Sequence, residues 1–232
     1  MKIDFHIHTC YSYDSLMKPG KILNIAKKRG LDGIVVCDHN TIKGGLEAQR
    51  LNRDRRFHVI VGAEIATNAG DITGLFLTKE IESRDIDGVI REIREQNGKV
   101  ILNHPFYHHD LSKIDLSNID FIEGYNSRLN NEDNQKAVDL ANINNIPVIA
   151  GSDAHLYDEI GNGITTVKDI ETLAPLAHEY KQTPLRFITL SQYVKAVKKR
   201  ETNIFISATI IQAKYSFRQC IRVIKSAFMR NP

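Results

Sequence analysis

Residues 3–8 of the chain read Ile3-Asp4-Phe5-His6-Ile7-His8, and residues 33–38 read Gly33-Ile34-Val35-Val36-Cys37-Asp38. Short apolar runs of this kind, rich in β-branched side chains, are typical of strands buried in a parallel sheet. Residues 21–29 between them have the period of an amphipathic helix, and Gly30 stands where a helix C-terminal cap belongs. This stretch therefore predicts a strand, a helix and a second strand parallel to the first.

The alternation of apolar runs and helical segments continues through most of the sequence. Further strands are predicted at residues 58–66, 71–77, 100–104, 121–125, 147–151 and 186–189, and further helices at residues 43–53, 85–96 and 132–144. Gly98 is predicted to cap the helix at residues 85–96. A series of βα units around a mainly parallel sheet indicates an α/β fold that resembles a βα barrel.

Length and composition favour one globular domain with a short appendage. The chain has 232 residues, of which 42% are hydrophobic and 25% charged. A charged stretch near residues 198–203 gives way to a last segment of helical period, so we divide the chain into a domain at residues 1–203 and a C-terminal helix at residues 204–232. The net charge of +3 suits anionic substrates but falls short of the basic surface of a dedicated nucleic-acid binder.

The cysteines and the N-terminal residues favour the cytoplasm. Cys10, Cys37 and Cys220 are odd in number and far apart, so neither a disulfide framework nor a thiolate zinc site is expected. Met1 leads directly into the first predicted strand without an apolar signal core, and no apolar run approaches membrane-spanning length. We therefore expect a cytoplasmic protein without stable membrane insertion.

Side chains of the kinds that bind metal ions recur at the ends of the predicted strands. His6 and His8 lie two residues apart on the first strand, so their rings point to the same face. Alone, such a pair is equally typical of half-buried strand histidines. Four further strand ends carry Asp38-His39, Glu64, His104-Pro105 and Asp153-Ala154-His155. Because the C-terminal strand ends of a βα barrel form one face, these groups are expected to converge on a metal centre.

The ordered series His6-Ile7-His8-Thr9, Asp38-His39, Glu64, Asn103-His104-Pro105 and Gly151-Ser152-Asp153-Ala154-His155 resembles the motifs of the PHP family, named for polymerase and histidinol phosphatase. The resemblance covers residues 1–155 and, more loosely, the residues that follow. It implies a distorted TIM-like (β/α)7 barrel with up to three divalent ions, usually zinc, manganese or iron. It also implies a metal-dependent enzyme that cleaves phosphate esters.

The resemblance assigns ligands to each ion. The ligands of the first ion would be His6, His8, Glu64 and Asp153. Glu64 would bridge to a second ion, also held by His104, and His39 and His155 would bind a third.

Two positions depart from the commonest pattern of the family. The family often has an Asp or His five residues beyond the second histidine, where this chain has Tyr13, followed by Asp14. We expect Asp14 to be a ligand because its loop can absorb one residue. Asp71 stands where many relatives have a histidine, and it either completes the second site, with a preference for harder ions, or serves only at the start of a strand.

The ligand set implies that a metal-bridging water, with its pKa lowered to near neutrality, attacks phosphorus as a hydroxide. Glu64 and Asp153 would act through the ions, and either Asp38 or a metal-bound water is expected to deliver a proton to the leaving group. Arg128 is interpreted either as a phosphate contact or as a solvated surface arginine. The expected substrate is a small phosphomonoester or a 5′-phosphorylated nucleotide or oligonucleotide.

Two other classes of function remain open at this level. A metal-binding PHP domain without turnover, acting within an assembly, would be expected to lack several ligands. A carbon–nitrogen hydrolase of the amidohydrolase type would be expected to carry a metal-bridging lysine, and none is obvious here.

The segment at residues 207–229 predicts an amphipathic helix that packs on the barrel or on a second copy of the chain, which would make a homo-oligomer. Its apolar stripe comprises Phe217, Ile221, Ile224 and Phe228, beside a basic stripe of Lys214, Arg218, Arg222 and Lys225. Truncation after Asn203 is expected to lower the melting temperature or change the oligomeric state. An unchanged melting temperature with lost binding to anionic liposomes or oligonucleotides would contradict packing as the role of this helix.

Overall fold

A computed structural model describes residues 1–214, which form a mixed α/β fold around one curled sheet. The nine strands are β1 (Lys2–Ile7), β2 (Gly33–His39), β3 (His58–Thr67), β4 (Gly70–Leu75), β5 (Lys99–Leu102), β6 (Phe121–Asn126), β7 (Val148–Gly151), β8 (Gly163–Val167) and β9 (Pro175–Tyr180). The α-helices before residue 200 are α1 (Pro19–Lys28), α2 (Lys43–Leu51), α3 (Ile86–Glu95), α4 (Asn131–Ile143) and α5 (Leu185–Lys199).

The sheet has the strand order β7-β6-β5-β4-β3-β2-β1-β8-β9. Neighbours within β1 to β3 and within β5 to β7 are parallel, whereas β4 is antiparallel to both β3 and β5. β8 is also antiparallel to both β1 and β9. These pairs distinguish the sheet from the all-parallel sheet of a regular βα barrel.

Hydrogen bonds between the end of β1 and the residues after β7 nearly close the barrel. The amide of His8 donates to the carbonyl of Ala154 at 2.9 Å, and the amide of Ala154 donates to the carbonyl of His6 at 3.1 Å. This contact brings the first and last ligand motifs of the sequence together. The predicted distorted α/β barrel is confirmed.

The apolar side chains fill the barrel and the layer between sheet and helices. Phe5, Cys37, Leu75, Phe121 and Ile149 come from five strands and belong to one buried cluster. Two further clusters join the outer face of the sheet to α1 and α2 on one side and to α3 and α4 on the other. Burial of such side chains contributes about 1.5 to 3 kcal/mol each, which is what holds the strand ends in place.

The predicted strand at residues 186–189 was wrong, because these residues lie in the first turns of α5. Phe187, Ile188 and Thr189 have strand-like side chains, but Pro184 stands immediately before the first helical residue and favours a helix start there. The sequence interpretation also missed β8 and β9. β9 is half-exposed and poor in β-branched residues, so it lacks the signal of a buried strand.

Helix C-terminal caps were predicted correctly at one of two positions. Gly30 has a φ of +74°, the left-handed conformation of a cap after α1. After α3 this conformation belongs to Asn97, with a φ of 57°, and not to Gly98. Gly98 is instead packed so closely that an added Cβ would lie 2.7 Å from the carbonyl oxygen of Leu75.

Residues 202–214 are helical, so a helix does follow α5. Most of the predicted amphipathic stripe, including Phe217, Ile221, Ile224 and Phe228, lies outside the described residues, and the division at residue 203 stays a prediction. Within residues 1–214, no helix is long and apolar enough to cross a membrane.

Substitution of Asp85 by Ala is expected to destabilise the barrel by about 1 kcal/mol, because Asp85 is the N-cap of α3 and its side chain accepts a hydrogen bond from Gly88 N at 2.8 Å. Thermal unfolding should shift downward by about 2 to 4 °C. Asp87→Ala, two residues later in the first turn, is the matched control. Equal shifts for the two variants would show that the cap does not stabilise α3.

Candidate metal centre

Three groups of side chains bring their ligand atoms within 4.8 Å of one another. The groups are His6, His8 and Glu64; Glu64, Asp71 and His104; and His8, Asp14, His39 and His155. All nine residues predicted as ligands, Asp153 included, lie at this one mouth of the barrel.

A β-bulge turns the two histidines of the first strand into the barrel. The register of β1 against β2 slips by one residue between Asp4 and Ile7. A slip of one residue moves the following side chains to the opposite face of a strand. Phe5 therefore packs in the barrel interior and Ile7 packs with the helices, while His6 and His8 reach the mouth of the barrel.

Glu64 lies at the centre of the site. Its Oε1 is 3.1 Å from His104 Nε2 and 3.5 Å from His6 Nε2. Its Oε2 is 3.0 Å from His39 Nδ1 and 3.5 Å from His8 Nε2. A carboxylate in contact with four imidazoles, and shared by two of the groups, is placed to bridge two cations.

Asp153 and His104 approach the same space with strained backbones. Asp153 Oδ1 lies 3.3 Å from His8 Nε2, 3.4 Å from His155 Nδ1 and 3.6 Å from His6 Nε2. The φ angles of Asp153 and His104 are 50° and 26°, in a region of backbone conformation that residues other than glycine rarely adopt. Strain of this kind persists where the surrounding structure enforces it and is typical of functional sites.

Asp14 reaches the third group in spite of its offset position in the sequence. Its Oδ2 is 3.1 Å from His39 Nε2 and 3.3 Å from His155 Nε2. Its Oδ1 is buried and has no hydrogen-bond partner in the described part of the chain. A buried carboxylate oxygen without a partner is costly unless a cation binds it, so this oxygen fits a metal ligand.

The charges of the site compensate one another through histidine protons. Burial alone would lower the pKa of His39, but Glu64 and Asp14 outweigh it and raise this pKa to about 10. Burial likewise opposes protonation of His104, but the contact with Glu64 outweighs it and raises the pKa of His104 to about 9. Burial, together with His155 and His39, lowers the pKa of His8 to about 3. In the metal-free protein, protons on His39 and His104 therefore supply the positive charge that bound cations would otherwise supply.

Glu123, near the end of β6, orients His6. A second bulge, in β6, places Glu123 and Asn126 on the same side, and Asn126 Nδ2 donates to Glu123 Oε2 at 3.0 Å. Glu123 Oε1 lies 2.8 Å from His6 Nδ1, which leaves Nε2 directed at the cluster. A Cβ at Gly151 would lie 2.5 Å from Glu123 Oε1, so glycine is required there.

Asp38 is buried, and its contacts lie within the loop that follows β1. Its two oxygens accept hydrogen bonds from the amide and hydroxyl of Thr9 and from the hydroxyl of Ser12, at 2.6 to 2.8 Å. Ser12 Oγ also lies 3.0 Å from His8 Nδ1. Burial raises the pKa of Asp38. Asp38 therefore braces the loop after β1 and, through Ser12, the ring of His8.

Arg128 lies in the cleft but is held by other protein groups. Its Nε is 3.2 Å from Glu159 Oε1, its Nη1 is 2.7 Å from His155 Nδ1, and its Nη2 donates to Ser191 Oγ at 2.6 Å. It is therefore not the freely solvated arginine of the alternative interpretation. Glu159 also accepts from the amides of His155 and Leu156, so this pair fixes the loop of the last ligand.

Seven of the nine predicted ligands line a cleft of about 470 Å³ that is open to solvent, whereas His6 and His8 are buried and do not line it. Tyr107 and His108 form part of its rim. Its opposite boundary includes side chains of α5, a helix that the sequence did not connect with the site: Leu185, Ile188, Gln192 and Lys195.

The chain is similar to several known proteins. The family model described as PHP-associated matches residues 131–183. An uncharacterized protein of Methanocaldococcus jannaschii is 32% identical over 187 residues, which cover 75% of this chain and 74% of that protein. A second uncharacterized protein of the same organism is 40% identical over 117 residues, covering 46% of this chain and 68% of that protein.

Two further comparisons concern proteins with a described activity or fold. A 5′-3′ exoribonuclease of Haemophilus influenzae is 34% identical over 67 residues, 29% of this chain and 24% of that protein. A two-domain protein of Bacteroides vulgatus, described as containing a predicted PHP-like metal-dependent phosphoesterase, superposes with a TM-score of 0.64 at 21% identity. The aligned region covers 78% of this chain and 65% of that one, and it shows a shared fold.

Binding of divalent ions is expected to release protons and to strengthen as the pH rises. In the metal-free protein the raised pKa values keep His39 and His104 protonated at neutral pH, whereas ligation requires the neutral ring. Between about pH 6 and about pH 8, apparent zinc affinity should rise about tenfold per pH unit for each proton released. Calorimetry in buffers of different ionisation enthalpy measures this proton release. Zinc binding that does not depend on pH and releases no protons would contradict the assignment of His39 and His104 as ligands.

Proposed function

The chain belongs to the PHP family, and we propose that it is a metal-dependent phosphoesterase whose reaction takes place over the three groups at the barrel mouth. The contacts of Glu64 are the main support for this proposal, because its buried carboxylate faces four imidazoles. A carboxylate and imidazoles at these distances could bind the same cations. Such a cluster is the arrangement used to neutralise phosphate oxygens.

We infer that two or three divalent ions bind there, with zinc, manganese or iron as candidates. His6, His8, Glu64 and Asp153 would hold the first, and Glu64, Asp71 and His104 the second. Asp14, His39 and His155 would hold the third. This donor set of imidazoles and carboxylates fits these metals, and the carboxylates favour the harder ones.

The ions would lower the pKa of a bound water and offset the charge of the phosphate, so that no side chain has to act as the nucleophile. The protein groups would orient the ligands and the substrate. Glu123 and Ser12 hold the rings of His6 and His8, and Arg128 contacts His155 and lines the cleft. Arg128 remains our candidate for a contact to the phosphate, and the contacts of Asp38 with Thr9 and Ser12 favour a positioning role over that of the acid.

The substrate is proposed to be a small phosphomonoester or the 5′ end of a short oligonucleotide. The cleft volume is in the range that accommodates a small ligand, and Lys195 and Arg128 place positive charge at its wall. The partial likeness to a 5′-3′ exoribonuclease supports the second substrate class, over only 29% of the chain.

A panel of substrates tests the proposed function. Protein reconstituted separately with zinc, manganese and iron would be assayed against phosphomonoesters, phosphodiesters and short 5′-phosphorylated oligonucleotides. Turnover that requires a metal and a phosphate ester supports the proposal. Ion binding without turnover of any of them would favour a metal-binding domain that acts within an assembly.

Glu64→Gln and Asp153→Asn are expected to lower turnover by more than about 100-fold, since each substitution removes a charged ligand and disturbs more than one cation position. Glu132→Gln, at an exposed position of α4, is the control and should retain activity. Circular dichroism and metal analysis would accompany the assay. Wild-type turnover by either folded, metal-loaded variant would show that the cluster is not where the reaction occurs.

A further inference from the structure

Asp14 is carried by the loop between β1 and α1. This loop is closed at its base by a hydrogen bond from Cys10 N to Met17 O at 2.8 Å, and Ser12 N donates to Thr9 O at 3.0 Å. Tyr13 precedes Asp14, so a rotation of this loop by one residue would exchange the carboxylate for a phenol at the metal centre. Something must therefore fix which of the two side chains enters.

The ring of Tyr13 is held outside the ligand groups by contacts on its faces. It stacks on the imidazole of His39, with centroids 4.3 Å apart and planes within 2° of parallel. The ammonium groups of Lys199 and Lys195, both on α5, lie 4.1 Å and 5.0 Å from its centroid. Since His39 covers one face, the lysines occupy the other in a cation–π arrangement.

Lys198, from the same turn of α5, binds the backbone of the loop. Its ammonium donates to the carbonyl of Cys10 at 2.9 Å, to that of Ser15 at 3.2 Å and, at short range, to that of Ser12. An ammonium has three donors, and all three are used on carbonyls that flank Tyr13 and Asp14. Charge-assisted hydrogen bonds of this kind are stronger than those between neutral groups.

We propose that α5 positions the ligand loop, with Lys198 as the central residue, so that Asp14 and not Tyr13 enters the metal centre. Lys195 and Lys199 hold the displaced Tyr13 ring while Lys198 fixes the backbone on both sides of it. Lys198 is a positioning residue, since it contacts neither a proposed ligand side chain nor the cleft. The consequence for metal binding rests on the proposed function, whereas the order of the loop does not.

Lys198→Met removes the three hydrogen bonds and keeps the aliphatic length of the side chain. In metal-free protein, hydrogen exchange of the loop amides at residues 10–17 is expected to become at least about tenfold faster, with exchange in β1 and β2 unchanged. In zinc titrations against a competing chelator, the ion bound by Asp14, His39 and His155 should be held about 10 to 100 times more weakly, and the other ions as in the wild type. Tyr13→Ala, which removes the stacked ring, should have the same two effects.

Lys28→Met, an exposed lysine of α1, is the charge-matched control and should change neither quantity. If the loop amides of Lys198→Met exchange at the same rate as those of the control, and if both variants bind zinc with the same affinity, the positioning role of Lys198 is refuted. A wild type that binds no zinc would overturn the proposed function instead, and hydrogen exchange in metal-free protein would still decide whether Lys198 orders the loop.

Discussion

Glu64 is a carboxylate with 1% of its surface exposed, and imidazole nitrogens from His6, His8, His39 and His104 lie within 3.5 Å of its two oxygens. A buried negative charge in contact with so many bases has to be balanced by protons or by metal ions. The raised pKa values of His39 and His104 show that protons balance this charge in the metal-free protein. The oxygen of Asp14 that has no hydrogen-bond partner and the strained backbones of His104 and Asp153 fit a site that binds metal ions.

The fold serves this constraint by bringing distant strand ends to one place. The hydrogen bonds between residues 6–8 and Ala154 set the last ligand motif beside the first, although about two thirds of the chain separates them. The bulge in β1 turns His6 and His8 into the mouth. The bulge in β6 brings Asn126 to the side of the strand that carries Glu123. Around the ligands, Ser12, Glu123, Arg128 and Glu159 hold rings and loops by hydrogen bonds that leave the ligand atoms directed inward.

Most of the barrel and the convergence of the nine predicted ligands could be predicted from sequence, because strong apolar runs end in unusual polar residues such as Asp38-His39 and His104-Pro105. What could not be predicted depends on tertiary geometry. The bulge that brings Asn126 beside Glu123 has no local signal. The contacts of Asp38 with Thr9 and Ser12 also join residues far apart in the sequence. The strand-like run at residues 186–189 concealed α5, and with it the lysines that contact the loop of Asp14.

Anomalous diffraction from crystals of the metal-reconstituted protein, recorded on both sides of the absorption edge of the bound metal, tests the central claim most directly. The account predicts two or three anomalous peaks at the barrel mouth, one of them between Glu64 and His104 and one beside His6 and His8. Crystals of fully reconstituted protein with no peak within bonding distance of Glu64 would contradict it.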